Sequence, residues 1–230
     1  MRYSRFALGE TSAHVYFGEG IDQKINRRVH AAAAQLRAMG LGGVLDLVPG
    51  YTSLYIELDG RRTTAGDVQR IVDELPDPPI DEAGPGSLVE IPVCYGGRFG
   101  PDLEPLANES DMTARDVIDL HCAHEYDVFF MGFTPGFAFM GTVDDRIARP
   151  RLAVPRQAVP AGSLGIAGNQ TGIYPVKSPG GWRLIGMTPL QMVVMSPAGP
   201  RMLLQPGDRV RFHSISEEEF SRQRLECAAH

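Results

Sequence analysis

Residues 131–182 read MGFTPGFAFMGTVDDRIARPRLAVPRQAVPAGSLGIAGNQTGIYPVKSPGGW, and this stretch decides which folds the chain can adopt. Glycine and proline are concentrated around it, because residues 131–207 hold 12 of the 26 glycines and 10 of the 18 prolines. Glycine weakens helices and proline interrupts them, so this density excludes long helices. Short strands between tight turns remain possible. The stretch therefore predicts a β-barrel or a barrel-like sandwich.

The segments on either side of this stretch predict regular elements that complete the same domain. Strands are predicted at 88–94 and 126–131, short helices near 103–108 and 114–121, and a terminal helix at 216–229. Thr113 is a suitable cap for the second short helix. We therefore assign residues 88–215 to a barrel domain and residues 216–230 to a C-terminal helix or tail.

The first 80 residues predict a separate domain with two layers. The patterns predict strands at 2–8, 13–17, 44–48 and 52–58 and helices at 22–39 and 65–75. Two helices can cover one face of such a short sheet. Proline, glycine and charged residues then mark a boundary, and we place a linker at 81–87. The predicted fold class is α+β, with an N-terminal two-layer α/β domain at 1–80 and the barrel after it.

Composition and charge argue against several classes of protein. The net charge is -6, which argues against binding through nucleic-acid phosphates. Three cysteines without a C-x-x-C pair argue against a disulfide framework. The N-terminal sequence does not resemble a signal peptide, and no run of about 18 apolar residues exists. We expect a cytoplasmic protein that has neither a membrane nor a nucleic acid as its partner.

Common catalytic motifs are absent or incomplete. The AGSLG sequence around Ser163 resembles a nucleophile elbow, but Ala161 replaces the required glycine. The HCAH sequence at 121–124 has poor geometry for a metal, because neighbouring helix positions point about 100° apart and no second ligand pair occurs at zinc spacing. We therefore predict no metal. His121 stays a candidate for proton transfer, although a packed or capping histidine is the commoner role for such a residue.

Nucleotide and carrier functions also have no motif here. The chain contains no phosphate-binding loop with the G-x-x-x-x-G-K-[ST] pattern. Its only lysines are Lys24 and Lys177, and neither has the surroundings of a biotin-carrying lysine. If ATP or biotin takes part in a reaction, another chain must bring it.

Three glycine-rich loops at 131–141, 165–175 and 178–182 are the best candidates for a binding site. Glycine lets backbone N–H groups approach a ligand, and groups of such N–H donors bind anions. Asn169, Gln170 and Thr171 can pair with a planar amide. Aromatic side chains in the loops can form the walls of a pocket. The alternative is that the glycines only form tight corners of a barrel.

These loops resemble the carboxyltransferase-domain family. The resemblance rests on GFTPGFAFMG at 132–141 and on the long run from RPRLAVPRQ to GMTP at 149–189. INRRV at 25–29, VPGYTSLYI at 48–56, IPVCYGG at 91–97, the spacing of His121 and Tyr126, and PGDRVRF at 206–212 agree with it. The family includes the B subunit of 5-oxoprolinase, allophanate hydrolase subunit 1, a kinase-inhibitor protein and half of the urea carboxylase carboxyltransferase domain.

The resemblance implies a cyclophilin-like barrel and a non-autonomous enzyme subunit. Its partners would be a larger subunit, of the 5-oxoprolinase C type or the allophanate hydrolase subunit 2 type, and, in the 5-oxoprolinase arrangement, a third subunit of the A type. Such a complex opens 5-oxoproline to glutamate with ATP, so this chain itself would bind no cofactor. The alternatives are half of a biotin-dependent urea carboxyltransferase and an inhibitor of a sensor histidine kinase. A stand-alone prolyl isomerase would rest on fold analogy alone.

Candidate site residues follow from the loops and the resemblance together. The predicted catalytic residues are His121, Tyr126, Asn169 and Gln170. The predicted substrate-binding residues are Phe133, Gly136, Phe137, Arg156, Gly168, Thr171, Gly172, Tyr174, Ser178, Gly180, Gly181 and Trp182. Arg183 is a further possible partner for substrate charge.

Overall fold

The computed structural model describes residues 3–76, 86–197 and 199–228, and the chain separates into two compact units. The first unit extends from Met1 to Gly84 and the second from Pro85 to His230. Most of the linker predicted at 81–87 lies outside the described residues.

The N-terminal unit is an antiparallel sheet with two helices on one face. Its elements are β1 (Arg5–Leu8), β2 (Ser12–Tyr16), α1 (Gln23–Ala38), β3 (Val44–Pro49), β4 (Ser53–Leu58) and α2 (Ala65–Glu74). The strand order is β1-β2-β4-β3. Alternate strand residues such as Val15 and Leu54 join helix residues such as Val29 and Val68 in one core. This is the two-layer arrangement that the alternating strand pattern predicts.

Local capping explains where the helices begin. The Asp22 carboxylate accepts a hydrogen bond from the Ile25 backbone N–H at 3.0 Å. Thr64 and Asp67 form a reciprocal capping box at the start of α2. Each cap satisfies backbone donors that the first turn of a helix leaves free.

The second unit is built on a closed barrel of seven strands. Its elements are β5 (Leu88–Tyr95), α3 (Leu103–Glu109), α4 (Ala114–Cys122), β6 (Glu125–Met131), β7 (Ala138–Gly141), β8 (Arg156–Val159), β9 (Ser163–Ala167), β10 (Gln170–Ile173), β11 (Ser178–Gly180), β12 (Arg183–Met187), β13 (Val193–Ser196), β14 (Gly199–Met202), β15 (Arg209–Ser214) and α5 (Glu217–Ala228). The strands around the barrel are β10-β7-β6-β15-β5-β12-β9. Within the described chain, only β5 and β15 pair in parallel. The described part of residues 131–207 contains no helix, so the predicted fold class is confirmed.

Strands β7 and β9, together with the residues next to them, face two different environments. Ala138, Met140 and Ile166 point into the barrel core. Phe137 and Ala167, one residue away from these, belong to a second cluster on the outer side, the outer aromatic cluster of Phe137, Val159, Ala167, Tyr174, Trp182 and Leu184. Neighbouring residues of a strand point to opposite faces, so a single layer of backbone separates the two clusters.

The terminal helix α5 covers another part of the same unit. Phe220 packs on Phe99 with ring centroids 4.7 Å apart, and both join Cys94 in a small buried cluster. No helix in the described residues is both long and apolar enough to cross a membrane.

Candidate functional site

A cleft on the outer side of the barrel unit gathers the aromatic residues of the glycine-rich loops. We call it the aromatic cleft, and its volume is about 180 Å³. It is lined by Phe133, Phe137, Phe139, Arg151, Leu152, Pro155, Tyr174, Pro179, Gly180, Gly181 and Trp182. The loops therefore meet at one place, as the sequence predicts for six of these residues: Phe133, Phe137, Tyr174, Gly180, Gly181 and Trp182.

Edge-to-face packing fixes the aromatic walls of the cleft. The Phe137 ring lies 5.4 Å from the Trp182 ring, with an angle of 85° between their planes. Phe137 meets Tyr174 at the same distance and at 83°. Such arrangements place the positive edge of one ring against the negative face of another, which stabilises a single geometry.

Glycine brings these rings close to the barrel wall. A Cβ atom on Gly172 would lie 3.1 Å from the rings of both Phe137 and Trp182. A Cβ atom on Gly180 would overlap the hydroxyl end of Tyr174. Gly172 and Gly180 therefore let the aromatic rings approach the backbone closely, a role that differs from both the ligand contact and the tight barrel corner that the sequence left open.

The Tyr174 hydroxyl lies within the reach of charged and polar groups. Burial raises the pKa of the Tyr174 phenol, while a hydrogen bond from the Trp182 backbone opposes that rise. The positive charges of Arg151 and Arg156 also act to lower the Tyr174 pKa. The phenol stays neutral near pH 7, so it can offer a proton to a ligand or a partner group.

Arg151 is the only charged residue among the described residues that line the cleft. It forms no hydrogen bond or ion pair with any residue in the described parts of the chain. Other arginines nearby are paired. Arg156 donates to Asp102 at 2.7 Å, and Arg183 donates to Glu109 at 2.7 Å. The two arginines that the sequence predicted as substrate partners are thus bound to carboxylates of this chain.

The barrel interior contains a different set of polar groups, which we call the interior polar chain: Cys122, Tyr95, His121, Thr171 and the carbonyl of Gly165. The Cys122 thiol donates to the Tyr95 hydroxyl at 3.5 Å. His121 Nδ1 lies 2.9 Å from that hydroxyl, and His121 Nε2 lies 3.1 Å from Thr171 Oγ1. Thr171 Oγ1 donates to the Gly165 carbonyl at 3.2 Å.

The hydrogen bonds of the interior polar chain determine which nitrogen of the His121 ring carries the proton. Because Thr171 uses its only proton on Gly165, it accepts from His121, which places the ring proton on Nε2. Nδ1 then accepts from Tyr95. Burial, aided by the charge of His124, lowers the pKa of His121 from its ordinary 6.5 to about 3. His121 is therefore neutral at pH 7, with both ring nitrogens occupied.

Tyr126 is also part of the interior rather than of the cleft. Its side chain is fully buried, and its hydroxyl donates to the His121 carbonyl at 2.9 Å. Burial raises the pKa of Tyr126. The observed contacts of His121, Tyr126 and Thr171 are those of a structural network, and their roles with substrate stay predictions.

The other predicted residues lie at the edge of the barrel or under the loops. Gly168 and Asn169 form the turn between β9 and β10, where Gly168 donates to the Arg149 carbonyl and the Asn169 carbonyl accepts from Val143. Gln170 begins β10 opposite Gly141. None of these three residues lines the aromatic cleft. Ser178 pairs with Val159 across β11 and β8, and Gly136 packs beneath hairpin β13–β14.

Ser163 has no access to a substrate from this cleft. Its side chain is 1% exposed on β9, so the elbow-like sequence around it does not present a nucleophile. The sequence did not identify Phe139, Arg151, Leu152, Pro155 and Pro179 as lining residues. The RPRLAVP run at 149–155 contains three of them, and its two prolines were a usable signal of an extended loop.

Comparisons with known proteins agree with this architecture. The family model described as carboxyltransferase domain, subdomain C and D matches residues 4–203. The B subunit of 5-oxoprolinase from Bacillus subtilis (strain 168) is 42% identical over 231 residues, covering 96% of this chain and 96% of the relative. The solved structure of TTHA0988 has a TM-score of 0.77 and 39% identity, and covers 89% of this chain. This chain spans only 40% of TTHA0988.

A more distant structure shares the fold alone. The K. lactis urea amidolyase has a TM-score of 0.75 at 19% identity, and covers 92% of this chain and 15% of that one. The same backbone arrangement thus occurs as a segment within longer proteins.

Proposed function

The chain belongs to the family of carboxyltransferase-domain proteins with subdomains C and D, and from this premise we propose that it is the B subunit of a 5-oxoprolinase-type enzyme. In this proposal it helps to open 5-oxoproline to glutamate in an ATP-dependent reaction. Water adds to the lactam carbonyl carbon, the carbon–nitrogen bond breaks and the nitrogen takes up a proton, while a second water molecule cleaves ATP to ADP and phosphate. ATP is bound by a partner subunit.

The composition of the aromatic cleft supports a shared rather than a complete active site. The described residues that line it include no carboxylate, histidine, cysteine or lysine. Opening an amide needs a nucleophile or an activated water together with a proton donor. A cleft with aromatic walls and one arginine can bind and orient a small amide, but other groups must complete the chemistry. We therefore propose that the larger subunit supplies them.

Exposed apolar side chains at the rim of the cleft support a partner at this place. Phe133, which lines the cleft, is 61% exposed, and Val154, which precedes the lining residue Pro155, is 80% exposed. Phe133 also has a φ of 66°, a left-handed conformation that is rare for an aromatic residue and common at functional sites. Large exposed apolar side chains beside a cleft favour an interaction surface. The greater length of TTHA0988 agrees with a second half being joined to this one.

Co-expression with the larger subunit and with a third subunit of the A type tests the proposal. We expect a complex that releases glutamate from 5-oxoproline only when ATP is present and all three chains are included. A Phe133→Asp and Val154→Asp double variant should not assemble, whereas Arg115→Gln on the exposed face of α4 should assemble normally.

Two outcomes would reject the proposal. If no complex forms with any candidate partner, the chain does not belong to this enzyme. If a complex forms but turns over only urea-type substrates with a biotinylated carrier, the chain is half of a urea carboxyltransferase instead.

A further inference from the structure

Five arginines, four of them within residues 146–156 and the fifth at Arg183, differ in how their charges are compensated. Arg146 pairs with Asp144 at 2.7 Å, and Arg156 and Arg183 pair with Asp102 and Glu109. Arg149 donates to the carbonyls of Ala148 and Glu109. Only Arg151 among these five has neither a carboxylate nor a carbonyl partner in the described parts of the chain. Its charge also reaches into the cleft, since it acts on Tyr174.

The surroundings of Arg151 suit an anion that enters from solution. The other lining residues are aromatic, aliphatic, proline or glycine, so they provide no competing negative charge. Arg151 is an exposed residue that lines the cleft, so its guanidinium is accessible to an anion from solution. A hydrogen bond between a guanidinium and a carboxylate is charge-assisted and therefore stronger than one between neutral groups. The planar fork of guanidinium donors can bind both carboxylate oxygens at once.

The size and walls of the cleft restrict the rest of the ligand. Drug-sized ligands occupy pockets of about 300–1,000 Å³. The cleft has about 180 Å³ and therefore fits a smaller molecule. Phe137 and Trp182 line the cleft while being only 1% and 5% exposed, so they give it a fixed apolar wall on which a compact ring can lie. The ligand that matches these features is a small cyclic monocarboxylate.

We propose that Arg151 is the carboxylate-binding residue of the aromatic cleft, and that it makes the site selective for small cyclic acids over their neutral analogues. This inference rests on the proposed function for the identity of the acid, 5-oxoproline. Arg151 would act as a specificity-determining residue: its contact with the carboxylate holds the ring against Phe137 and Trp182, while the lactam faces the partner subunit.

Fluorescence of Trp182 offers a direct binding assay. Trp182 is the only tryptophan in the chain and lines the cleft, so a ligand there changes its emission. We would titrate the full chain and the assembled complex with 5-oxoproline and with 2-pyrrolidinone, the same ring without the carboxylate. The wild type should bind 5-oxoproline at least about tenfold more tightly, which corresponds to about 1.4 kcal/mol.

Variants at Arg151 and Arg146 then test which residue causes the preference for 5-oxoproline over 2-pyrrolidinone. Arg151→Gln should bind the two rings equally, and Arg151→Lys should recover part of the difference because it keeps the charge without the planar fork. Arg146→Gln is the matched control, since it removes an exposed arginine that already has a carboxylate partner, and it should keep the wild-type preference. In the assembled enzyme, Arg151→Gln should raise KM for 5-oxoproline at least tenfold.

The outcomes separate this inference from the proposed function. If Arg151→Gln keeps both the wild-type preference for 5-oxoproline over 2-pyrrolidinone and the wild-type KM, Arg151 does not bind the carboxylate. An enzyme that is active on 5-oxoproline would still support the proposed function. If neither the chain nor the complex binds 5-oxoproline but both bind cyclopentanecarboxylate through Arg151, the carboxylate-binding role of Arg151 is supported and the proposed substrate is wrong. If no carboxylate shows an Arg151-dependent effect on binding or KM, the inference is overturned.

Discussion

The polar groups on the two faces of strands β9 and β10 differ in whether they have partners within the chain. On the inner face, Thr171 joins His121 and Tyr95 in a chain in which each donor has an acceptor. On the outer face, Gly172 leaves room for Trp182 and Phe137, and the nearby charge of Arg151 has no partner in the described chain. A complete hydrogen-bond chain stabilises the fold, whereas an uncompensated charge beside a cavity is available to a ligand.

Removing the His121 side chain should have the largest effect on stability. His121→Ala leaves a cavity at a fully buried position and deprives Tyr95 and Thr171 of their partner. We expect a loss of about 3–5 kcal/mol in the free energy of unfolding, measured by urea denaturation. His124→Ala removes a half-exposed histidine from the same turn and should change stability by less than about 0.5 kcal/mol. Equal effects would show that the interior chain is not structural.

The interior face should also make stability depend on pH. His121 has a folded pKa of about 3 against its ordinary 6.5, so below pH 6.5 the unfolded chain binds a proton that the folded chain does not. The contribution of neutral His121 is complete above pH 6.5 and is lost as the pH falls toward 3. The slope from this group is about 1.4 kcal/mol per pH unit within that window.

Comparison of unfolding curves at pH 4, 5 and 6 isolates this contribution. His121→Gln cannot titrate, so its stability should fall less steeply than that of the wild type over this range. Parallel curves would mean that His121 is protonated in the folded protein or accessible to water.

A methyl group on the outer face should have a smaller effect. Gly172→Ala places a Cβ 3.1 Å from Phe137 and Trp182, so these rings must shift by a few tenths of an ångström. We expect a loss of about 1 kcal/mol in stability and a changed Trp182 emission spectrum. Gly181→Ala is the control, because its Cβ would lie 3.6 Å or more from its neighbours. An unchanged spectrum in Gly172→Ala would show that the rings do not rest on the barrel wall.

Substitutions in the turn between β9 and β10 should have the smallest effect. Asn169→Ala and Gln170→Ala change residues that do not line the cleft, and we expect turnover of the assembled enzyme to fall less than about threefold. The loop sequence alone predicts instead that either change abolishes turnover. Loss of turnover with an intact complex would place amide recognition at this turn and would extend the site beyond the cleft.

The fold was predictable because local rules determine most of it. Asp22 and Thr113 form the expected helix caps, and the described part of residues 131–207, where glycine and proline are dense, contains strands and turns but no helix. The grouping of Phe133, Phe137, Tyr174 and Trp182 was also predictable from the loops. Aromatic side chains in adjacent glycine-rich loops have few other places to pack.

The details of the site depend on information that a single sequence does not contain. Arg156 finds its partner Asp102 across 54 positions, so its charge is already used. Whether Arg151 or Arg156 is free follows only from the three-dimensional pairing. In the same way, the register of β9 and β10 determines that Thr171 points inward and that Gly172 faces the rings. Residue types predicted that the glycine-rich loops form the site. The ion pairs and the strand register determine which of their residues are available to a ligand.

The central claim is that substrate is bound on the outer face and not by the interior chain. The most direct test is the KM for 5-oxoproline of the three-subunit enzyme containing either Arg151→Gln or Tyr126→Phe in this chain. Tyr126→Phe removes one interior hydroxyl and keeps the ring in place, so it should leave KM within about twofold of the wild type. Arg151→Gln should raise KM at least tenfold. A raised KM in Tyr126→Phe together with a normal KM in Arg151→Gln would contradict this account.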